Sequence, residues 1–146
     1  MIKKIFTENN IVLNATANDK WDAIQQCGQI LKEQGYVKDA YLEDMLKREE
    51  EASVYVGNHV AIPHGISFSQ DHIIESGISF MQVPEGVEFE GGTAYMLIGI
   101  AGKNGEHIEL LGKIAMICCD MENIERLKTA KNKQEINQVF QSLLYD

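Results

Sequence analysis

Ala94-Tyr95-Met96-Leu97-Ile98-Gly99-Ile100-Ala101, running into Gly102-Lys103-Asn104-Gly105, is the stretch that decides the fold. Apolar side chains occupy odd and even positions alike. A strand with one wet face would alternate, so this one is expected at the centre of a sheet, covered on both sides. The Gly-Lys-Asn-Gly segment is turn chemistry. Beyond it His107, Leu110, Leu111, Ile114 and Cys118 recur at helical spacing, which puts His107 in a first helical turn on the inward stripe. Strand, tight turn and helix in succession predict an α/β chain.

The pattern repeats outward. Ile11-Val12-Leu13 reads as a first strand. The polar run 16–19 can cap a helix over 20–34, which carries Ile24, Cys27, Gly28 and Leu31 inward and has Gly35 just past its end. A second helix is expected over 38–50, with Tyr41, Leu42, Met45 and Leu46 as its stripe. Arg48 continues that stripe, because positions 41, 45 and 48 share a helical face. Two readings of Arg48 stay open. It is an inward-pointing cation, or it complements the helix C-terminus with Glu49, Glu50 and Glu51 as surface partners. Val54-Tyr55-Val56 and the three residues from Val60 read as strands, 69–75 as a short helix or loop, and Gly77-Ile78-Ser79-Phe80 as a half-buried strand. Pro84-Glu85-Gly86 and Gly91-Gly92 read as turns. Helices over 124–130 and 134–144 close the chain, the last with Ile136, Val139, Phe140, Leu143 and Leu144 on its apolar face. Strands alternating with helices imply a sheet with helices on both faces.

One further stretch carries candidate chemistry: Gly57-Asn58-His59-Val60-Ala61-Ile62-Pro63-His64-Gly65. Pro63 fixes its own φ and biases Ile62 towards extended backbone. Gly65 permits a sharp turn or a close approach. His64 is thereby held at the mouth of a strand, where α/β folds place their sites. Taken alone it is a nucleophile or a turn histidine without a task. His107 follows another strand, and the ends of parallel strands share an edge. A first helical turn also offers backbone N–H groups and a positive dipole end to an anion such as phosphate, and an inward arginine matches phosphate oxygens.

Three chemistries fit these residues. A neutral imidazole can attack phosphorus and hold the phosphoryl group covalently. A metal site could draw on His59, His64, His72 and His107, but none are paired four apart on a helix and no carboxylate recurs at zinc-like spacing. A non-catalytic interaction domain would leave the histidines as packing groups, with His72 on the surface and His59 facing out. No Walker-type loop, G-x-G-x-x-G or G-x-S-x-G is present to signal a nucleotide or a serine nucleophile.

Bulk properties narrow the class. The 146 residues are about one domain, 45% hydrophobic and 24% charged. A net charge of −9 without a Lys/Arg cluster argues against nucleic acid as a partner. Lys3-Lys4 precede no apolar signal core, and the longest apolar run falls far short of the roughly 20 residues that span a bilayer, so the chain is expected to be cytoplasmic and not membrane-embedded. Cys27, Cys118 and Cys119 lack framework spacing and read as packing residues in a reducing compartment.

Four stretches together resemble enzyme IIA of the mannitol–fructose class (type 2) of the bacterial phosphoenolpyruvate-dependent sugar phosphotransferase system, closest to the mannitol-specific type. They are Gly35-Tyr36-Val37 leading to Met45-Leu46-Lys47-Arg48-Glu49; the 57–65 stretch with its Ala-Ile-Pro-His-Gly core; Pro84-Glu85-Gly86-Val87 with Phe89; and Leu97-Ile98-Gly99-Ile100-Ala101 leading to Asn104-Gly105-Glu106-His107-Ile108. The resemblance covers roughly 10–144. It implies a three-layer α/β sandwich with a mixed, mostly parallel sheet of about four to five strands, as one domain over 1–146. It implies a phosphocarrier in which His64 is phosphorylated on Nε2 by the phosphocarrier HPr and passes the group to a cysteine of the IIB component. His107 matches a second histidine that contacts the phosphoryl group. Arg48 matches an arginine that stabilises transition-state charge. No cofactor or metal is implied. Asn58 departs from the acidic residue of some mannitol-type members. A lone IIA domain would meet IIB by diffusion, through apolar residues around His64 with acidic ones outside them. The alternatives in the same fold are a nitrogen-related regulatory IIA and a fructose-specific IIA.

Overall fold

The structure, a computed structural model, describes residues 4–66 and 69–144. In chain order it contains β1 (Ile11–Val12), α1 (Lys20–Glu33), α2 (Ala40–Glu51), β2 (Tyr55–Gly57), β3 (Val60–Ala61), β4 (Gly77–Phe89), β5 (Gly92–Ala101), α3 (Glu106–Cys118), α4 (Met121–Thr129) and α5 (Lys133–Leu144). The strands form one mixed sheet in the order β1-β4-β5-β3-β2. β1 runs parallel to β4, and β3 parallel to β5. The β4–β5 hairpin and the β2–β3 pair are antiparallel.

The doubly apolar 94–101 stretch does lie at the centre, as β5, and its alternation sorts two cores. Met96, Ile98 and Ile100 face α3, α4 and α5, whereas Leu97 and Ala101 face α1 and α2. Val60 and Ala61 divide in the same way. Helices therefore cover both faces of the sheet. α1 starts where the Asp19 carboxylate accepts the Asp22 N–H at 2.8 Å, and Gly35 follows its end with φ +83°. Ile136, Val139 and Phe140 of α5 are buried as expected. The side chains of Leu143 and Leu144 lie outside the described residues, as does Lys3.

Three expectations are corrected. Pro84-Glu85-Gly86 does not reverse the chain. It is a bulge inside β4, where the residues between Gln82 and Val87 oppose Tyr95 alone and Gly86 takes φ +81°. Proline is compatible with a bulge because no ladder N–H is required of it there. Cys119 is exposed, unlike the buried Cys27 and Cys118. Glu49 is not a surface partner of Arg48. It is buried, accepts the Val54 N–H at 2.8 Å and pairs with Lys20 at 3.2 Å, which ties the end of α2 to α1 and to the entry of β2.

Candidate functional site

The parallel pairing of β3 with β5 continues past β3 as a bridge between His64 and Ile100. The end of this edge opens into a cleft of about 280 Å³, lined among others by Tyr41, Arg48, His64, Gln70 and His107. Residues far apart in sequence thus share one cavity: Arg48 from the last turn of α2, His64 from the strand end, His107 from the first turn of α3.

His64 is half-buried. Its Nδ1 lies 2.8 Å from the Ile62 carbonyl oxygen. A carbonyl only accepts, so Nδ1 carries the proton and Nε2 keeps its lone pair. Burial pushes the pKa of His64 below its ordinary value. The Ile62 carbonyl opposes that shift, and the Arg48 and His107 charges reinforce it. Pro63 accepts the Ile100 N–H at 2.9 Å, so the strand is fastened just before the histidine. Gly65 is required by close approach: a Cβ there would come within 2.6 Å of both the Ser69 Oγ and a Tyr41 ring carbon.

His107 is placed by the loop before it. Asn104 and Gly105 take left-handed φ of +56° and +85°. Gly102 lies so close that a Cβ on it would meet the His107 backbone. Gln70 pins this loop from across the cleft, donating to the Gly102 carbonyl at 3.1 Å and accepting the Asn104 N–H at 2.9 Å. Gly105, at the N-cap, has no side chain with which to cap the first turn of α3. That turn carries the positive end of the helix dipole into the cleft.

Arg48 combines parts of the two readings left open by its spacing, without the surface pairing with Glu49. Its Nη1 donates to the Ala52 carbonyl at 2.8 Å, at the C-terminus of its own helix, and its side chain also lines the cleft. Asn58 and His59 stand elsewhere. Asn58 donates to the Cys118 carbonyl at 3.0 Å, and the His59 ring packs edge-on against Tyr95 at 5.0 Å. His72 is not a simple surface residue, since its Nδ1 lies 2.6 Å from the buried Asp44 carboxylate. Tyr41, Gln70 and Asp44 escaped sequence reasoning. Tyr41 passed as one more apolar stripe position, and no spacing signal marks the other two. Among the described residues no three or more His, Cys, Asp or Glu are grouped to hold a metal ion, and no helix is long and apolar enough to cross a membrane.

Residues 4–143 match the family model described as phosphoenolpyruvate-dependent sugar phosphotransferase system, EIIA 2. The chain belongs to that family. The mannitol-specific phosphotransferase enzyme IIA component of Bacillus subtilis is 46% identical over 138 residues, covering 94% of this chain and 96% of the relative. The crystal structure of IIA mannitol from Escherichia coli superposes with a TM-score of 0.86 at 35% identity, covering 92% of this chain and 98% of that one. A complex of enzyme IIAMTL with phosphorylated enzyme IIBMTL from the same organism matches with a TM-score of 0.88 at 34% identity, over 94% and 97% of the two chains. A IIA component of the phosphotransferase system therefore has this fold, with a cleft just past the ends of β3 and β5 that is lined from α2 and α3.

Proposed function

We propose that the chain is the IIA phosphocarrier of a mannitol phosphotransferase system, working as one cytoplasmic domain. One observation carries this: a histidine whose Nδ1 is engaged, and whose Nε2 lone pair is therefore left for a cleft that also holds Arg48 and the first turn of α3. The Nε2 lone pair attacks phosphorus on the phosphohistidine of HPr. The new P–N bond forms as the donor P–N bond breaks, and the donor imidazole leaves with the electron pair. A cysteine thiolate of IIB then attacks the same phosphorus, and His64 recovers its lone pair. Arg48 and His107 stabilise the equatorial oxygens in both transfers, since catalysis of this reaction is mostly positioning and charge stabilisation. Neither step needs a cofactor. The exposed Ile108, next to His107, offers apolar contact to either partner. The mannitol assignment rests on the relatives named above, one of which was solved with phosphorylated IIB.

The test is incubation with phosphoenolpyruvate, enzyme I and HPr, followed by addition of IIB. An acid-labile, base-stable adduct of one phosphoryl group is expected on the wild type and none on His64→Ala, with onward transfer to a mannitol-type IIB. An unchanged adduct in His64→Ala overturns the assignment of the nucleophile. Normal charging with no transfer to any sugar-specific IIB would point instead to a regulatory IIA, and transfer to a fructose-type IIB alone to a fructose carrier.

A further inference from the structure

The parallel pairing of the His64 strand with β5 reaches His64, which bridges Ile100, and on one side of that bridge a side chain takes part. Before the histidine, Ile100 N–H donates directly to the Pro63 carbonyl at 2.9 Å. In a parallel bridge the other rung runs from Gly65 N–H to the Ile100 carbonyl. Here a side chain bonds both of those groups. Gly65 N–H donates to the Tyr41 hydroxyl at 2.9 Å, and that hydroxyl donates to the Ile100 carbonyl at 2.7 Å. Tyr41 itself is 2% exposed and lies on the face of α2 that also carries Arg48. The Tyr41 ring also takes the space into which a Cβ of residue 65 would project.

We propose that Tyr41 is a positioning residue for phosphoryl transfer. Its hydroxyl bridges Gly65 N–H and the Ile100 carbonyl, and so ties the backbone on the far side of His64 to the central strand and sets where Nε2 stands in the cleft. The inference rests on His64 being the phosphoryl carrier. Two fastenings then define the nucleophile. The Ile62 carbonyl fixes the ring relative to its own backbone, and the two rungs at Ile100 fix that backbone relative to the sheet. Without the hydroxyl, Gly65 N–H and the Ile100 carbonyl each lose a hydrogen-bond partner, which displaces Gly65 and with it the imidazole. The same imidazole must align with a donor on HPr and an acceptor on IIB, so a displacement on the order of 1 Å is enough to cost about 100-fold in rate.

Tyr41→Phe keeps the ring and removes only the bridging oxygen. In rapid-quench assays with pre-charged HPr, the maximal rate of transfer to Tyr41→Phe should fall about 10- to 100-fold, with the half-saturating HPr concentration within about twofold of wild type. Tyr36→Phe is the control. It removes another buried phenol hydroxyl, one bonded to Asn10 and the Lys4 carbonyl, and should lose stability while transferring at the wild-type rate. Equal rates for wild type and Tyr41→Phe, or an equal fall in Tyr36→Phe, overturn the proposal. A readout without phosphotransfer covers a variant that does not fold and a failure of the carrier reading. In wild-type protein, a slowly exchanging Tyr41 hydroxyl proton should show a nuclear Overhauser contact to the Gly65 amide. Absence of that contact overturns the hydroxyl bridge whatever the chain carries, whereas its presence in a protein that HPr cannot charge would overturn only the carrier function.

Discussion

At the scale of single residues, the chemistry turns on one imidazole kept neutral. Burial, with Arg48 and His107 nearby, lowers the pKa of His64 below 6.5 despite the hydrogen bond to Ile62. A histidine that resists protonation when folded takes up a proton on unfolding once the pH drops below its unfolded value. The fold therefore loses stability as pH falls from about 6.5 towards the folded pKa, and the group contributes nothing above that window. The same shift protects the nucleophile. Single-turnover acceptance from excess charged HPr should lose half its rate only below pH 6.5, where an ordinary histidine would already be half protonated. An imidazole titration followed by NMR should place the midpoint of His64 below 6.5. A rate half lost at or above that pH would contradict the environment described for His64. The cysteines offer no rival nucleophile in the core, because burial pushes the Cys27 and Cys118 thiols up to about 12.

At the scale of elements, the loop between β5 and α3 decides where His107 stands, and two glycines of this region separate close approach from helix propensity. Gly102 has φ −121°, which any residue adopts, yet a Cβ on it would press on the His107 backbone. Backbone cannot yield as a side-chain tip can, so Gly102→Ala should push back the start of α3. The expected cost is about 1–3 kcal/mol in urea unfolding, with slower phosphoryl transfer. Gly112→Ala, in the middle of the same helix where a Cβ meets nothing, should stabilise by about 0.5–1 kcal/mol. Equal tolerance of the two changes would remove the packing argument. The elements themselves were largely legible in sequence, because β5, α1, α3 and α5 announce themselves by the pattern of their apolar residues, and α1 also by its caps. What stayed hidden depends on partners distant in sequence. Tyr41 looks apolar until its hydroxyl is seen between Gly65 and Ile100. Glu49 looks like surface charge until Val54 and Lys20 close over it. Pro84 and Gly86 carry turn chemistry, and only the pairing of Val87 with Ala94 shows that the strand resumes.

At the scale of the whole molecule, the sheet lies between two cores, and the cleft takes its groups from both sides. α2 on one face supplies Arg48 and Tyr41, while α3 on the other supplies His107. Ile24 of α1 and Ile136 of α5 are both fully buried, in different cores on opposite faces. Each loses one methyl in the change to Val, which costs about 0.5–1.5 kcal/mol where the surroundings relax only in part. With the two residues in different cores and the sheet between them, the two losses should add to within about 0.5 kcal/mol in a double-mutant cycle. The argument extends to function. Neither residue lines the cleft, so both variants should carry phosphoryl groups at the wild-type rate per folded molecule. A coupling clearly above 0.5 kcal/mol would mean that the sheet transmits strain between its faces. The positions of Arg48 and His107 would then be linked through β5, and transfer rates in the double variant would fall below those of either single one.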